Sequence, residues 1–416
     1  MTNRSINTIT EDMTEEKFHY GSIAIALGLI FLFAGNSPYL NIANNYFFFM
    51  IAITLNILLF IFKIRKFTIN YTLVIMFLMA YITYTYECGG MSDFGTSMSI
   101  IMCSILVISC LFAGYNKLDL KIIKSGLIIS SFIFSVLVLF DGTVYEGVKV
   151  TYVQNFGNHM TFEPNFLGFI MLCGCEIGIL ETLSNTNITK FKIFIYIFIS
   201  GIITLGMLKT GSRSTLVSIA IFLVCIFLFT QTSKTKRKLF YILLFIFIVS
   251  LVIIKMDIIP ENIFDRLFTE SYDDGSNSKR ISNWSYGIKA MLDHWIIGNG
   301  PKPTSDILYQ LYGYTGDAHN TFITFGVWYG IMGFLVFILY IVYLIVKLWI
   351  QGNKIMVALL ISMIFEWNII ACNSILGMWI IILICNIELS LKDANKKFES
   401  NIKNSSVSED VNIKNA

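Results

Sequence analysis

The chain has 416 residues, of which 56% are hydrophobic and only 14% charged, and its mean hydropathy is +0.70. Composition of this kind excludes a soluble domain and points to a polytopic membrane protein. A net charge of +3, with basic residues spread loop by loop, excludes nucleic acid as a partner.

The first apolar run follows a polar stretch, 1–18, which reads as a cytoplasmic tail ahead of a span retained as an anchor rather than cleaved. Apolar runs then occupy 19–36, 42–62, 68–87, 96–115, 122–141, 164–184, 191–209, 213–231 and 239–255. A bilayer crossing needs about 20 residues, so these predict transmembrane helices throughout 19–255. A long polar stretch, 256–318, precedes three further runs at 319–348, 354–372 and 375–390. The run at 319–348 exceeds one crossing, which predicts a tilted helix or an interfacial start. The expected architecture is all-α, with about twelve transmembrane helices, one long loop, and a disordered cytoplasmic tail over 391–416.

Loop charges orient the chain. Lys63, Arg65 and Lys66, then Lys117, Lys121 and Lys124, then Lys190 and Lys192, then Lys234, Lys236, Arg237 and Lys238, then Lys347 and Lys354 fall in alternate loops. The opposite short loops at 37–41, 88–95 and 373–374 hold no lysine or arginine. The positive-inside rule then predicts both termini in the cytoplasm and 256–318 outside. Eight cysteines form no framework. Six lie inside apolar runs, and Cys88 and Cys372 lie at span ends on the outer side, where a bridge is conceivable.

That orientation singles out the basic residues that break it. Lys209 and Arg213 share one short outer loop, and Arg266, Lys279, Arg280, Lys289 and Lys302 lie in the long one. In the long loop Ile281, Trp284, Ile288, Met291, Leu292 and Trp295 recur at helical spacing, predicting an amphipathic helix capped near Ser278 and ending at Gly298. Such a helix would lie on the membrane surface, or form the core of a small outer unit. His319, Gly326, Gly330 and Gly333 fall on one face of the helix expected next, and Gly326 and Gly330 would admit a close neighbour.

Two guanidiniums at the outer face suit a diphosphate, because each binds phosphate oxygens bidentately and stays charged. A histidine there can accept a proton from an attacking hydroxyl. Arginines can neutralise a departing diphosphate, so neither a metal nor a cofactor is expected. Asp317 could orient His319. Glu176 and Glu366 are ionisable groups inside spans, where such groups default to function. Glu366 lies nearer the outer end, where it could pair with an arginine of the site or bind sugar hydroxyls, and Glu176 lies deeper, where a bundle hydrogen bond is expected. Glu163 precedes Pro164 at a helix start, where a carboxylate complements the dipole. Tyr309, Tyr312, Tyr314 and Trp328 read as an interfacial belt or as sugar-stacking rings.

Four motifs then carry a resemblance: Glu163-Pro164-Asn165, Gly211-Ser212-Arg213-Ser214, Arg280-x3-Trp284 followed by Gly298-Asn299-Gly300-Pro301, and His319-Asn320-x9-Gly330-x2-Gly333. In this order they resemble the O-antigen ligase/polymerase superfamily over about 155–335. The Arg-x10-Gly signature of some polymerases is absent after Arg213, Arg266 and Arg280. The resemblance implies a bundle related to GT-C glycosyltransferases in the bacterial cytoplasmic (inner) membrane, transferring glycan from undecaprenyl-diphosphate-linked oligosaccharide. It implies His319 as the catalytic group and Arg213 and Arg280 as diphosphate ligands. Arg266 is a further phosphate candidate, and Asn320, Asp317, Glu366 and Lys209 are candidate supporting residues. The expected activity is a capsule or O-antigen polymerase, an inverting enzyme that moves glycan onto the hydroxyl of another lipid-linked repeat unit, with the growing glycan chain as a partner. A flippase and a chain-length regulator are candidate protein partners. The rival activities are an O-antigen ligase acting on lipid A–core, and a transporter or flippase for an anionic solute or lipid, which should show an internal repeat.

Overall fold

The computed structural model describes residues 18–31, 45–63, 71–145, 149–154, 160–161, 163–184, 189–230, 276–373 and 375–394. Arg266, the apolar run 239–255 and the tails 1–17 and 395–416 lie outside the described residues.

The apolar runs fold into helices because a bilayer interior leaves backbone groups no other partner. Five come first: α1 (Tyr20–Ile30), α2 (Asn45–Lys63), α3 (Tyr71–Cys88), α4 (Phe94–Ala113) and α5 (Lys117–Asp141). Local chemistry sets several ends. Asp93 accepts from Thr96 N at 3.0 Å to start α4, and Asn116 with Asp119 forms a capping box at α5. After a short interruption follow α6 (Pro164–Ser184), α7 (Lys190–Thr210) and α8 (Arg213–Phe229). The long loop contributes α9 (Ser276–Asp293) and α10 (Thr304–Tyr312), and α11 (Thr321–Ile350), α12 (Lys354–Trp367) and α13 (376–394) complete the described chain. By length and composition α4, α5, α6, α7 and α11 can each cross a membrane.

The segment between α5 and α6 departs from the all-helical expectation. Three antiparallel strands, β1 (Gly142–Tyr145), β2 (Lys149–Gln154) and β3 (Met160–Thr161), form a sheet in the order β1-β2-β3, with Gly142 opposite Tyr152 and Val153 opposite Thr161. Runs such as Val150-Thr151-Tyr152-Val153 are β-branched and aromatic, which favours a pleated surface once the chain leaves the bundle.

Helix α6 is central: 89% of its most apolar window is buried, against 33% for α7 and 28% for α11. Both outer helices remain apolar on their exposed sides, as lipid contact requires. Hydrogen bonds define the two ends of the bundle. At one end Ser214 near the start of α8 meets Glu366 near the end of α12, and Thr321 at the start of α11 meets Ile370 and Cys372. At the other, Lys124 of α5 meets Glu181 of α6 and Glu388 of α13. All eight cysteines are free, so Cys88 and Cys372 are not bridged.

The expected helix at 319–348 differs in two ways. It begins at Thr321 with Asn320 as its cap, so His319 precedes it, with φ 43°. It is also interrupted at Gly330, where φ 70° and ψ −169° are open essentially to glycine alone. His319 therefore does not share a helical face with Gly326, Gly330 and Gly333. The interruption frees backbone groups, and the 295–300 segment takes them up: Asn299 N donates to Val327 O at 2.9 Å, Gly300 N to Trp328 O at 3.0 Å, and Ile331 N to Trp295 O at 2.7 Å. Pro301 then receives Asp93 N at 3.0 Å, tying the loop to the turn after α3. The close neighbour expected at Gly326 is present, and it is the loop helix α9, whose Met291 packs directly onto it.

Candidate functional site

A continuous set of polar contacts occupies the end of the bundle where α6, α8 and α11 begin. Glu163 caps α6: its carboxylate accepts from Phe166 N at 3.0 Å and Asn165 Nδ2 at 2.6 Å, and its carbonyl accepts from Leu167 N at 3.1 Å. That is the helix-start role its position predicts. Asn165 Oδ1 accepts in turn from Ser212 Oγ at 3.2 Å, and Ser212 Oγ lies 3.2 Å from Ser214 Oγ. Ser214 Oγ donates to Glu366 Oε1 at 2.9 Å, and Ser218 Oγ, one turn further along α8, donates to Glu366 Oε2 at 2.7 Å. Glu366 is fully buried, so both its oxygens depend on these serines for satisfaction.

Arg213 opens α8 between Ser212 and Ser214, and is half-buried. Arg280 lies in the first half of α9, also half-buried, and its guanidinium and the Glu163 carboxylate are both within electrostatic reach of Glu366. Glu366 thus feels both Arg280 and Glu163, and Arg213 is the sequence neighbour of its hydrogen-bonding partner Ser214.

His319 reaches the same end by a different route. Asn320 Oδ1 caps α11 by accepting from Ile323 N at 3.0 Å, and Asn320 Nδ2 donates to Asn368 O at 3.0 Å, two residues beyond Glu366. Thr321 reinforces this latch: its hydroxyl donates to Ile370 O at 2.8 Å and accepts from Cys372 N at 2.8 Å. His319 itself is exposed, and its imidazole makes no hydrogen bond among the described residues. Asp317 accepts from the His319 backbone N–H at 2.9 Å, so it shapes the left-handed turn rather than orienting the ring.

Lys209 is tied elsewhere: its Nζ donates to Leu139 O at 2.7 Å, closing the last turn of α5. The residues of the 276–318 segment hold that segment together. Tyr312 OH donates to Asp293 at 2.6 Å, Tyr314 OH to Asn283 at 2.6 Å, and Lys289 sits 4.4 Å from the Tyr312 ring centroid. Burial, and then the Asp293 carboxylate, push the Tyr312 phenol above its ordinary pKa. Trp328 Nε1 donates to Lys302 O at 2.5 Å, which joins that ring to the loop. Helix α9 starts at Ser276, so Ser278 lies inside it rather than at its cap, and it ends at Asp293. Ile281, Ile288, Leu292 and Trp295 stay exposed, leaving an apolar face available to lipid, while Ala290 and Met291 pack inward.

Below Glu366, Glu176 shares Ser362 with the α8 backbone. Ser362 Oγ contacts Glu176 Oε1 and lies 2.8 Å from Ser218 O. Glu176 is thus held in the bundle, as its depth predicts. Sequence reasoning passed over Ser218, Ser362 and Asn368. The i, i+4 spacing of Ser214 and Ser218 just after Arg213 was the available signal, since polar residues one turn apart share a face.

Compared with known families, residues 198–338 match the one described as O-antigen ligase, roughly a third of the chain. No curated protein matches the chain. The match supports the O-antigen ligase/polymerase superfamily, whose members are glycosyltransferase-like enzymes, and it takes in Arg213, Arg280, His319 and Gly330.

Proposed function

We propose that this chain is a membrane glycosyltransferase that polymerises lipid-diphosphate-linked oligosaccharide, building a capsular or O-antigen polysaccharide. The family match carries the reading, together with the meeting of the α8, α11 and α12 termini around Glu366. The lysine distribution supports an orientation with the His319 end outside the cell and both termini in the cytoplasm. In the reaction, an acceptor hydroxyl oxygen bonds to the anomeric carbon as the bond from that carbon to the diphosphate oxygen breaks, with inversion. The hydroxyl proton passes to His319, and undecaprenyl diphosphate leaves with the electron pair. Arg213 and Arg280, with Arg266, hold the diphosphate and neutralise the developing charge without a metal. Glu366, fixed by Ser214 and Ser218, acts as a positioning residue for Arg280.

The description of the matched family favours a second reading, an O-antigen ligase using the same donor with a lipid A–core acceptor. The acceptor separates the two. Transport has less support, because the interrupted helix at Gly330 is filled by the 295–300 segment rather than lining a solute path.

Purified protein in proteoliposomes, given lipid-linked repeat unit with and without a chelator, tests the reading. Wild type should yield polymer in both conditions, and His319→Ala and Arg280→Ala should each lose about a hundredfold or more in rate. Full polymer formation by both variants would remove the mechanism, and product only on adding lipid A–core would favour the ligase.

A further inference from the structure

The opposite end of the bundle carries a second polar site that the transfer reaction does not use. A cleft of about 790 Å³ opens between the starts of α5 and α7 and the ends of α6 and α13. Lys124 forms its base, only 4% exposed, with Nζ 2.8 Å from Glu181 Oε1 and 2.9 Å from Glu388 Oε1. Two carboxylates against one ammonium leave a single negative charge there. Four lysines at 117, 121, 192 and 392 line the same cleft and outweigh it.

One further feature fits a lipid anion. The lining also includes Leu120, Ile195 and Leu391, which makes it amphipathic rather than a solvated charge cluster. Beside it α7 turns Phe191, Phe194 and Phe198 outward, along the path a lipid tail would take.

We propose that this cleft binds the phosphate of an anionic phospholipid headgroup, with Lys117, Lys121 and Lys192 at the phosphate and the α7 phenylalanines against the acyl chain. Basic pockets between transmembrane helices on the cytoplasmic side suit such headgroups. The assignment to the cytoplasmic leaflet rests on the orientation proposed above. The binding chemistry does not, and its readout is independent of glycan transfer.

The test reconstitutes the full chain in nanodiscs of phosphatidylcholine mixed with phosphatidylglycerol, then counts retained lipid by native mass spectrometry. Wild type should retain phosphatidylglycerol selectively. K121Q/K192Q should bind it roughly thirtyfold more weakly, from two lysines near the surface, and K121R/K192R should bind it as wild type does. Amine labelling of wild type alone provides a second measurement: phosphatidylglycerol should protect Lys121 and Lys192. Equal retention by the glutamine variant and wild type, or no protection by lipid, would overturn the site. Protection of the same lysines by millimolar inorganic phosphate but not by phosphatidylglycerol would assign it to a soluble phosphate and overturn the lipid.

Discussion

Gly330→Ala is the sharpest probe of how the fold supports the site. Gly330 holds φ 70° and ψ −169°, a region that costs a side-chain-bearing residue about 1–3 kcal/mol. An added Cβ would also run into the carbonyl of Trp295, the acceptor for Ile331 N at 2.7 Å. Losing that hydrogen bond adds about 0.5–1.5 kcal/mol. Together these give about 2–4 kcal/mol, a large share of a typical domain's stability. Gly352→Ala is the control, because Gly352 has φ 71° with nothing near its Cβ position, so only the left-handed penalty of about 1–2 kcal/mol applies. Thermal unfolding in detergent should place Gly330→Ala well below Gly352→Ala. Transfer activity of Gly330→Ala should fall further than its stability, since the break anchors the loop that carries Arg280 and the helix that follows His319. Equal melting temperatures for the two variants would refute the argument that the 295–300 segment is wedged into the break.

Removing both serine donors, Ser214→Ala with Ser218→Ala, leaves the buried Glu366 carboxylate without either bond and should cost about 1–3 kcal/mol per lost donor. Adding Glu366→Gln to that pair should recover part of the melting temperature but not the transfer rate. Asn320→Ala removes the α11 cap and the link to Asn368, for about 1 kcal/mol from the cap alone. It should also lower the transfer rate by letting His319 move, measured with the same polymer assay. His319→Ala, by contrast, should leave the melting temperature unchanged, because the imidazole is exposed and makes no hydrogen bond among the described residues.

The helices were legible because each is encoded locally. Apolar runs such as 164–184 and 191–209 coincide within a residue or so with α6 and α7, and Glu163 caps α6 where its position before Pro164 predicts. A span in lipid satisfies its own backbone, so a run of apolar residues is sufficient information. Lysine placement and the order of the four motifs are likewise written along the chain. What needed the tertiary structure involves groups satisfied from far away in sequence. Nothing in the apolar run 319–348 marks Gly330 as a break, because its partners are Trp295 and the Gly298-Asn299-Gly300 turn. His319 leaves the helical face because Asp317 and the Asn320–Asn368 contact set the helix start, and the latter spans 48 residues. Glu366 finds Ser214 and Ser218 about 150 residues earlier, and Lys124 finds Glu388 across 264. Local hydrophobicity decides which segments are helices. Long-range hydrogen bonds between buried polar groups, costly to leave unmade in an apolar interior, decide where those helices break and which of their ends meet.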